Sequence, residues 1–355
     1  MGSTLRISDP GDEALLARIR DRIREKGRIT FAEFMETALY DPDHGYYTSG
    51  REPVGTRGDY LTGPEMHPAF GAMIARWVAG RWREMGSPSP FDVVEIGAGT
   101  GLLHAAIAAY LEKFEPELQR TLHYRAVEIR GVRSQSGESA IEVLESLAHI
   151  PDGSITGCIV SNELVDAFPV HVVVVEGRDL REIYVAWDGE RFVEVTGEPS
   201  TPQIPSYFDR LGIVLPEGYR TEVNLEALGW IRQVAAKLSR GYVLTIDYGY
   251  TADEYYSPER RRGTLLCYYR HTSSEDPYVR VGQQDITAHV DFTSLMEAGR
   301  KAGLEVVQFT TQRDFLLAQG IREWLERANP RERRAILSLI DPRGMGGFKQ
   351  LVQKK

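Results

Sequence analysis

FDVVEIGAGTG, residues 91–101, joins an apolar run to three glycines at alternate positions. The run reads as a buried strand, and LLHAAIAAYLEKF (102–114), apolar at helical spacing, as the helix that follows. A glycine turn between strand and helix lets backbone approach a ligand and aims the helix N–H groups at it. A turn kept tight only for packing is the plainer alternative. Gly97, Gly99 and Gly101 make the spacing GxGxG, with Glu95 two residues ahead, whereas dinucleotide folds take GxGxxG.

Working outward, HYRAVEI (123–129) is a second strand ending in Glu128, a carboxylate able to accept both hydroxyls of a ribose. GCIVSN (157–162), GYVLTIDYG (241–249), GLEVVQFTT (303–311) and GFKQLVQ (347–353) are further strands. Helices are expected over 222–240 and over DFTSLMEAGRKAG (291–303), the latter with Asp291 as N-cap and Gly303 past its end. Alternating strands and helices predict a doubly wound α/β sheet. Before it, LLARIRDRIREKG (15–27) shows the stripe Leu15, Leu16, Ile19, Ile23; Thr30 with Glu33 forms a capping-box pattern; and 70–85 is helical. The expected organisation is a helical N-terminal region and lid loop over 1–85, then a core over 86–355. Two interruptions break the core: a β-meander within about 170–220 and a Tyr/Arg-rich segment at 250–290.

Net charge is −9, which disfavours generic attraction to nucleic-acid phosphate or anionic lipid. No apolar run approaches a membrane span, and residues 1–30 are too charged for a signal peptide, so a soluble cytoplasmic protein is expected. Cys158 and Cys267 read as buried reduced thiols, and no His/Cys/acid spacing suggests a metal site.

The turn in GCIVSNELVDAFPVHVVVV (157–175) sets Asn162, Glu163 and Asp166 at the lip of a core strand. Burying acids is costly without a partner or a task. Ligands of doubly wound sheets bind outside the carboxyl ends of the strands, which makes these three candidates for an active-site wall. The alternative is structural: Asn162 caps the turn and Asp166 pairs with an arginine.

The glycine spacing with Glu128 resembles S-adenosylmethionine-dependent methyltransferases more than nicotinamide enzymes. GDYLTGPEMHPAFG (58–71), EIGAGTG (95–101), SNELVDAFPVH (161–171), IDYG (246–249), GTLLCYYRH (263–271), DITAHVDF (285–292) and MGGFK (345–349) stand in the order seen in the MidA family. ITFAEFMETALYDPDHGYY (29–47) matches as well, so the resemblance covers nearly the whole chain. That family is related to the mitochondrial complex I assembly-factor arginine methyltransferase. The resemblance implies a seven-stranded Rossmann-like methyltransferase sheet with S-adenosyl-L-methionine as cofactor. Cofactor contacts are implied at Asp59, Thr62, Glu95, Gly97, Gly99, Gly101, Glu128, Ile129 and Asn162, with Gly58–Glu65 folding over as a lid. An arginine acceptor calls for carboxylates that orient the guanidinium and take up its proton, with Glu163 first and Asp166 second, beside Asn162. A hydroxyl acceptor would suit a histidine base better, His271 or His289. Departures from the family pattern are Met66-His67 after Pro64-Glu65 and a shortened IRGVRSQ run (129–135) after the ribose acid.

The expected function is thus protein-directed arginine N-methylation. A small-molecule O- or N-methyltransferase and a cofactor-binding assembly chaperone are the alternatives. The partner is a protein or small-molecule acceptor rather than nucleic acid or membrane, and a homodimer is compatible with this.

Overall fold

The structure, a computed structural model, describes residues 9–50, 54–55, 58–129 and 141–355. The chain divides into two compact units built from interleaved segments. One comprises the described residues to Tyr60 with Ala167–Glu226 and Ala252–His289; the other comprises Leu61–Asp166, Ala227–Thr251 and Val290–Lys355.

The second unit carries a seven-stranded sheet. Its strands are β1 (Phe91–Ile96), β2 (Leu122–Val127), β3 (Ile141–Leu144), β4 (Ile155–Asn162), β5 (Leu238–Asp247), β6 (Glu305–Thr311) and β7 (Lys349–Lys354). The spatial order is β6-β7-β5-β4-β1-β2-β3. All pairings from β5 to β3 are parallel, and β7 lies antiparallel between β5 and β6. Strand order therefore reverses at β1, whose neighbours are β2 and β4, and that reversal is where doubly wound sheets bind ligands. Register aligns the strand ends: Ile96 pairs with Ser161, and Asn162 with Ile246.

The glycine-turn strand and its helix (Leu102–Phe114) form as read from the sequence. The helix expected at 70–85 runs Ala69–Glu84 and buries most of its length, with Phe70, Met73, Trp77 and Trp82 all buried and a more exposed, largely charged stripe at Arg76, Gly80, Arg83 and Glu84. Gly71 lets its buried face meet the next helix, since an added Cβ would lie 2.4 Å from the Ala106 Cβ. It belongs with the sheet in one core with Phe91, Val93, Ile107, Tyr242 and Phe315 rather than with the N-terminal helices. Each fully buried side chain of this size contributes about 1.5–3 kcal/mol. Asp291 caps its helix (Phe292–Lys301) by accepting from the Thr293 and Ser294 amides at 3.0 and 3.2 Å. Among the described residues no helix is long and apolar enough to cross a membrane.

The other unit packs helices Glu13–Lys26 and Phe31–Tyr40 on an antiparallel sheet. Leu15, Leu16, Ile19 and Ile23 are buried, and the Thr30–Glu33 capping box is formed reciprocally, at 3.1 and 3.0 Å. The period-two stretch gives His171–Glu176, Asp179–Trp187 and Phe192–Gly197 as consecutive antiparallel strands. Their inward faces, Val172, Ile183 and Val185, meet Phe31, Phe34 and Met35. Cys158 and Cys267 are both buried free thiols whose pKa burial raises.

Candidate active site

β1 ends in the glycine turn. Gly97, Gly99 and Gly101 have φ of +74°, +50° and +76°, the left-handed region. Gly97 needs its missing side chain as well, because a Cβ there would lie 2.9 Å from Leu164 Cδ1. The turn is held from beneath by the Gly97 N–H donating to Val127 O at 2.9 Å, while Gly97, Gly99 and Thr100 stay exposed. Glu128, just past β2, accepts from the Gly99 N–H at 2.8 Å. That contact sets a half-buried carboxylate beside the exposed turn. Ile129 next to it is 58% exposed; the IRGVRSQ segment beyond it lies outside the described residues.

Glu95 points inward. It is buried, and Tyr124 donates its hydroxyl to Oε2 at 2.5 Å. Burial pushes the Glu95 carboxyl up to about 8, against the opposing effect of the Tyr124 hydrogen bond. An acid with a raised folded pKa stabilises the fold fully below its unfolded pKa, and that stability is lost as pH rises through the folded pKa. Wild-type stability should therefore fall between about pH 4.3 and 8, with Glu95 contributing at most about 1.4 kcal/mol per unit. Denaturant midpoints across this range should show a shallower fall in Glu95→Gln; equal slopes would refute the assignment.

β4 ends in Asn162, followed by the second turn. Glu163 stands at φ +50°, its N–H donating to Ile246 O at 2.8 Å. Its Oε1 accepts from Asn162 Nδ2 at 3.1 Å and from the Gly63 N–H at 3.3 Å. Asp247, at the end of β5, holds the turn: Oδ2 accepts from the Leu164, Val165 and Asp166 amides at 3.3, 2.9 and 3.3 Å. Asp166 is buried and accepts from the Tyr248 hydroxyl. Three carboxyl groups thus converge at the carboxyl ends of β4 and β5. Burial first, and repulsion from Asp166 second, push Glu163 up to about 8. The same causes, with Glu163 added, raise Asp247 well above the carboxylate range.

Thr62 opens the turn Gly63–Met66, capped by Glu65, which accepts from the Thr62 N–H at 3.2 Å and from the Thr62 hydroxyl. The other Glu65 oxygen accepts from Thr100 Oγ1 at 3.2 Å.

Asn162, Glu163, Asp166, Thr62, Glu95, Gly97, Gly99, Gly101, Glu128 and Ile129 all belong to the sheet unit, whereas Asp59, His271 and His289 belong to the other. There, Asp59 accepts from the Arg270 N–H at 2.6 Å and from Tyr46 Oη at 2.8 Å. Its carbonyl takes the His271 N–H at 2.9 Å, shaping the turn on which His271 is exposed. His289 donates its backbone N–H to Thr264 Oγ1 at 3.0 Å, and burial, helped by Arg260, pushes its ring down to about 4. Asp247, Tyr248 and Tyr124 have no assigned part in the sequence reading, and Glu65 enters it only as the end of the lid segment. A strand-terminal acid in IDYG, one strand over from the acidic turn, was the available signal for Asp247. Among the described residues no group of three or more His, Cys, Asp or Glu is placed to hold a metal ion.

The residues fit a nucleoside cofactor with an amino-acid tail. An exposed glycine turn and a neighbouring carboxylate face outward, and Asn162 Oδ1 is buried with no hydrogen-bond partner. A buried acceptor of this kind calls for a donor.

Comparison with known proteins agrees. The family described as S-adenosyl-L-methionine-dependent methyltransferases matches residues 73–310. A Drosophila melanogaster protein named protein arginine methyltransferase NDUFAF7 homolog, mitochondrial, is 27% identical over 318 residues, covering 80% of this chain and 70% of that one. The Mus musculus protein arginine methyltransferase NDUFAF7, mitochondrial, is 28% identical over 346 residues, covering 86% and 74%. A Burkholderia thailandensis protein crystallised bound to S-adenosyl-homocysteine superposes with a TM-score of 0.88 at 34% identity, covering 97% of this chain and 92% of that one. Matched to that family over more than half its length, and to the Burkholderia structure from end to end, the chain belongs to the MidA-like family of S-adenosyl-L-methionine-dependent methyltransferases.

Proposed function

We propose that this methyltransferase acts on the guanidinium of an arginine in a protein. The observation that carries the reading is the convergence of Glu163 and Asp166 at the strand ends beside the glycine turn, held by Asp247 and Tyr248. Relatives named as protein arginine methyltransferases support it.

When bound, the cofactor supplies a methyl group on a positively charged sulfur, ready for a single displacement. Gly97, Gly99 and Gly101 would cradle it, Glu128 would hold its ribose hydroxyls, and Asn162 Oδ1 would accept from its amino-acid tail. Thr62 lines this site, and Asp59 belongs to the lid expected over 58–65. Glu163 has two tasks. As a carboxylate it orients the guanidinium, whose paired N–H groups match its two oxygens. As the acceptor nitrogen takes the methyl group it must shed a proton, and Glu163 is the group placed to receive it. Without a cation the site favours protonated Glu163; an entering guanidinium reverses the repulsion from Asp166 and ionises it. Asp166, tied to Tyr248, supplies the second negative charge. Roles for His271 and His289 rest on the sequence reading, as does treating 170–220 and 250–290 as insertions into the core.

The test is transfer of labelled methyl from S-adenosyl-L-methionine into a size-fractionated cell lysate. Label should enter macromolecules and be recovered as methylated arginine after acid hydrolysis. Label confined to small molecules, or on oxygen, overturns the proposal.

A further inference from the structure

The two halves of the site are joined by one short strap, Thr62–Met66. On one side Thr100, in the glycine turn, donates its hydroxyl to Glu65 Oε1 at 3.2 Å. On the other, the Gly63 N–H donates to Glu163 Oε1 at 3.3 Å. Between them, Glu65 Oε2 accepts from the Thr62 amide and hydroxyl and so sets where the Gly63 N–H points. The strap has little freedom to shift, since a Cβ on Gly63 would lie 2.9 Å from the Phe70 ring. A capping box needs only one carboxylate oxygen. Glu65 places its second on the turn that forms the cofactor cradle, a contact with no part in capping. Its charge also adds to the repulsion felt by Glu163.

We propose that Glu65 is a positioning residue that passes occupancy of the glycine turn to Glu163, so that a bound cofactor firms the alignment of the acceptor carboxylate. A cofactor that settles the turn holds Thr100 on Glu65, Glu65 holds the strap, and Gly63 holds Glu163. Cofactor binding then favours acceptor binding. By reciprocity an occupied acceptor site tightens the cofactor by the same factor. One hydrogen-bond link sets the scale at several-fold, up to about tenfold. The coupling rests on the preceding section only for what Glu163 does once aligned.

The test is hydrogen exchange of the full chain with and without saturating S-adenosyl-homocysteine, which needs no acceptor. In the wild type this ligand should slow exchange at three places: the glycine turn, the amides of Gly63–Met66, and those of Glu163–Asp166. Thr100→Val removes the donor and leaves the capping box intact. At saturation it should keep protection of the glycine turn and lose most of that at the strap and at Glu163–Asp166, a several-fold or greater fall. A merely structural contact would not give this ligand-dependent split. Glu65→Ala cuts the link from the strap side and must give the same selective loss, so the proposal stays testable if one variant fails to fold. It is overturned if the wild type shows no ligand-induced protection of Gly63–Met66, or if either folded variant retains it. An acceptor other than arginine would leave these outcomes unchanged.

Discussion

Glu163→Gln should lower methyl transfer to protein at least about a hundredfold, the lower end of what a positioned acid or base contributes. Affinity for S-adenosyl-homocysteine, by calorimetry, should stay within about threefold, because the lost interaction belongs to the acceptor and the transition state. The substitution is nearly isosteric. The amide oxygen still accepts from Asn162 Nδ2 and the Gly63 N–H, so the turn keeps its shape while its charge and proton acceptor are gone. The pH profile gives a second reading of the same group. With the free-enzyme carboxyl raised to about 8, kcat/KM should climb with pH through the neutral range as Glu163 ionises, and this limb should vanish in the variant. Turnover within tenfold of wild type would remove Glu163 from the chemistry.

Gly157→Ala should cost about 3 kcal/mol or more in unfolding free energy, read as a shift in guanidinium midpoint. A Cβ on Gly157 would lie 1.9 Å from the Asp92 carbonyl oxygen on β1, and one on Gly241 of β5 would lie 1.9 Å from the Gly157 carbonyl. The obstacle to Gly157→Ala is backbone of β1, so relief means breaking ladder hydrogen bonds between β4 and β1, and Gly241→Ala would do the same between β5 and β4. The contrasting control is Gly80→Ala, on the helix Ala69–Glu84, where nothing lies within 4 Å of the added carbon. That change should be neutral or stabilising by up to about 1 kcal/mol. Equal midpoints for Gly157→Ala and wild type would mean that these strands do not approach so closely in solution.

Much of this was legible in local pattern. FDVVEIGAGTG announces strand, turn and helix because apolar run, glycines and helical spacing agree. The caps at Thr30 and Asp291 were equally plain. β3 was not: Ile141–Leu144 is a four-residue edge strand, half-exposed or exposed at every position, and leaves no periodic trace. The helices Gln312–Ala318, Arg322–Arg327 and Pro330–Leu339 are short, ten residues at most, and carry too few apolar positions to set a clear period. Asn329, Pro330 and Glu332 nevertheless spell a capping box that could have been read. Nor could local pattern place a boundary at Tyr60, since interleaved units depend on contacts far apart in the chain. In the site, Glu163 and Asp166 stood out as acids beside a buried run. Asp247 did not, because its task, capping a turn on the next strand, exists only once β5 lies against β4.

The place of β7 bears on how the protein is made. Lys349–Lys354, last in sequence among the strands of this sheet, lie between β5 and β6 rather than at an edge. During synthesis the ribosome releases this strand after every other one in the sheet. Until then β5 and β6 each show an open row of backbone donors and acceptors, the kind of edge that recruits a foreign strand. The sheet therefore closes only after β7 has been made, and until then one edge of β5, the strand whose Asp247 shapes the acidic turn, stays bare. The acidic turn is thus shaped from a strand whose second neighbour is the last of the sheet to be synthesised.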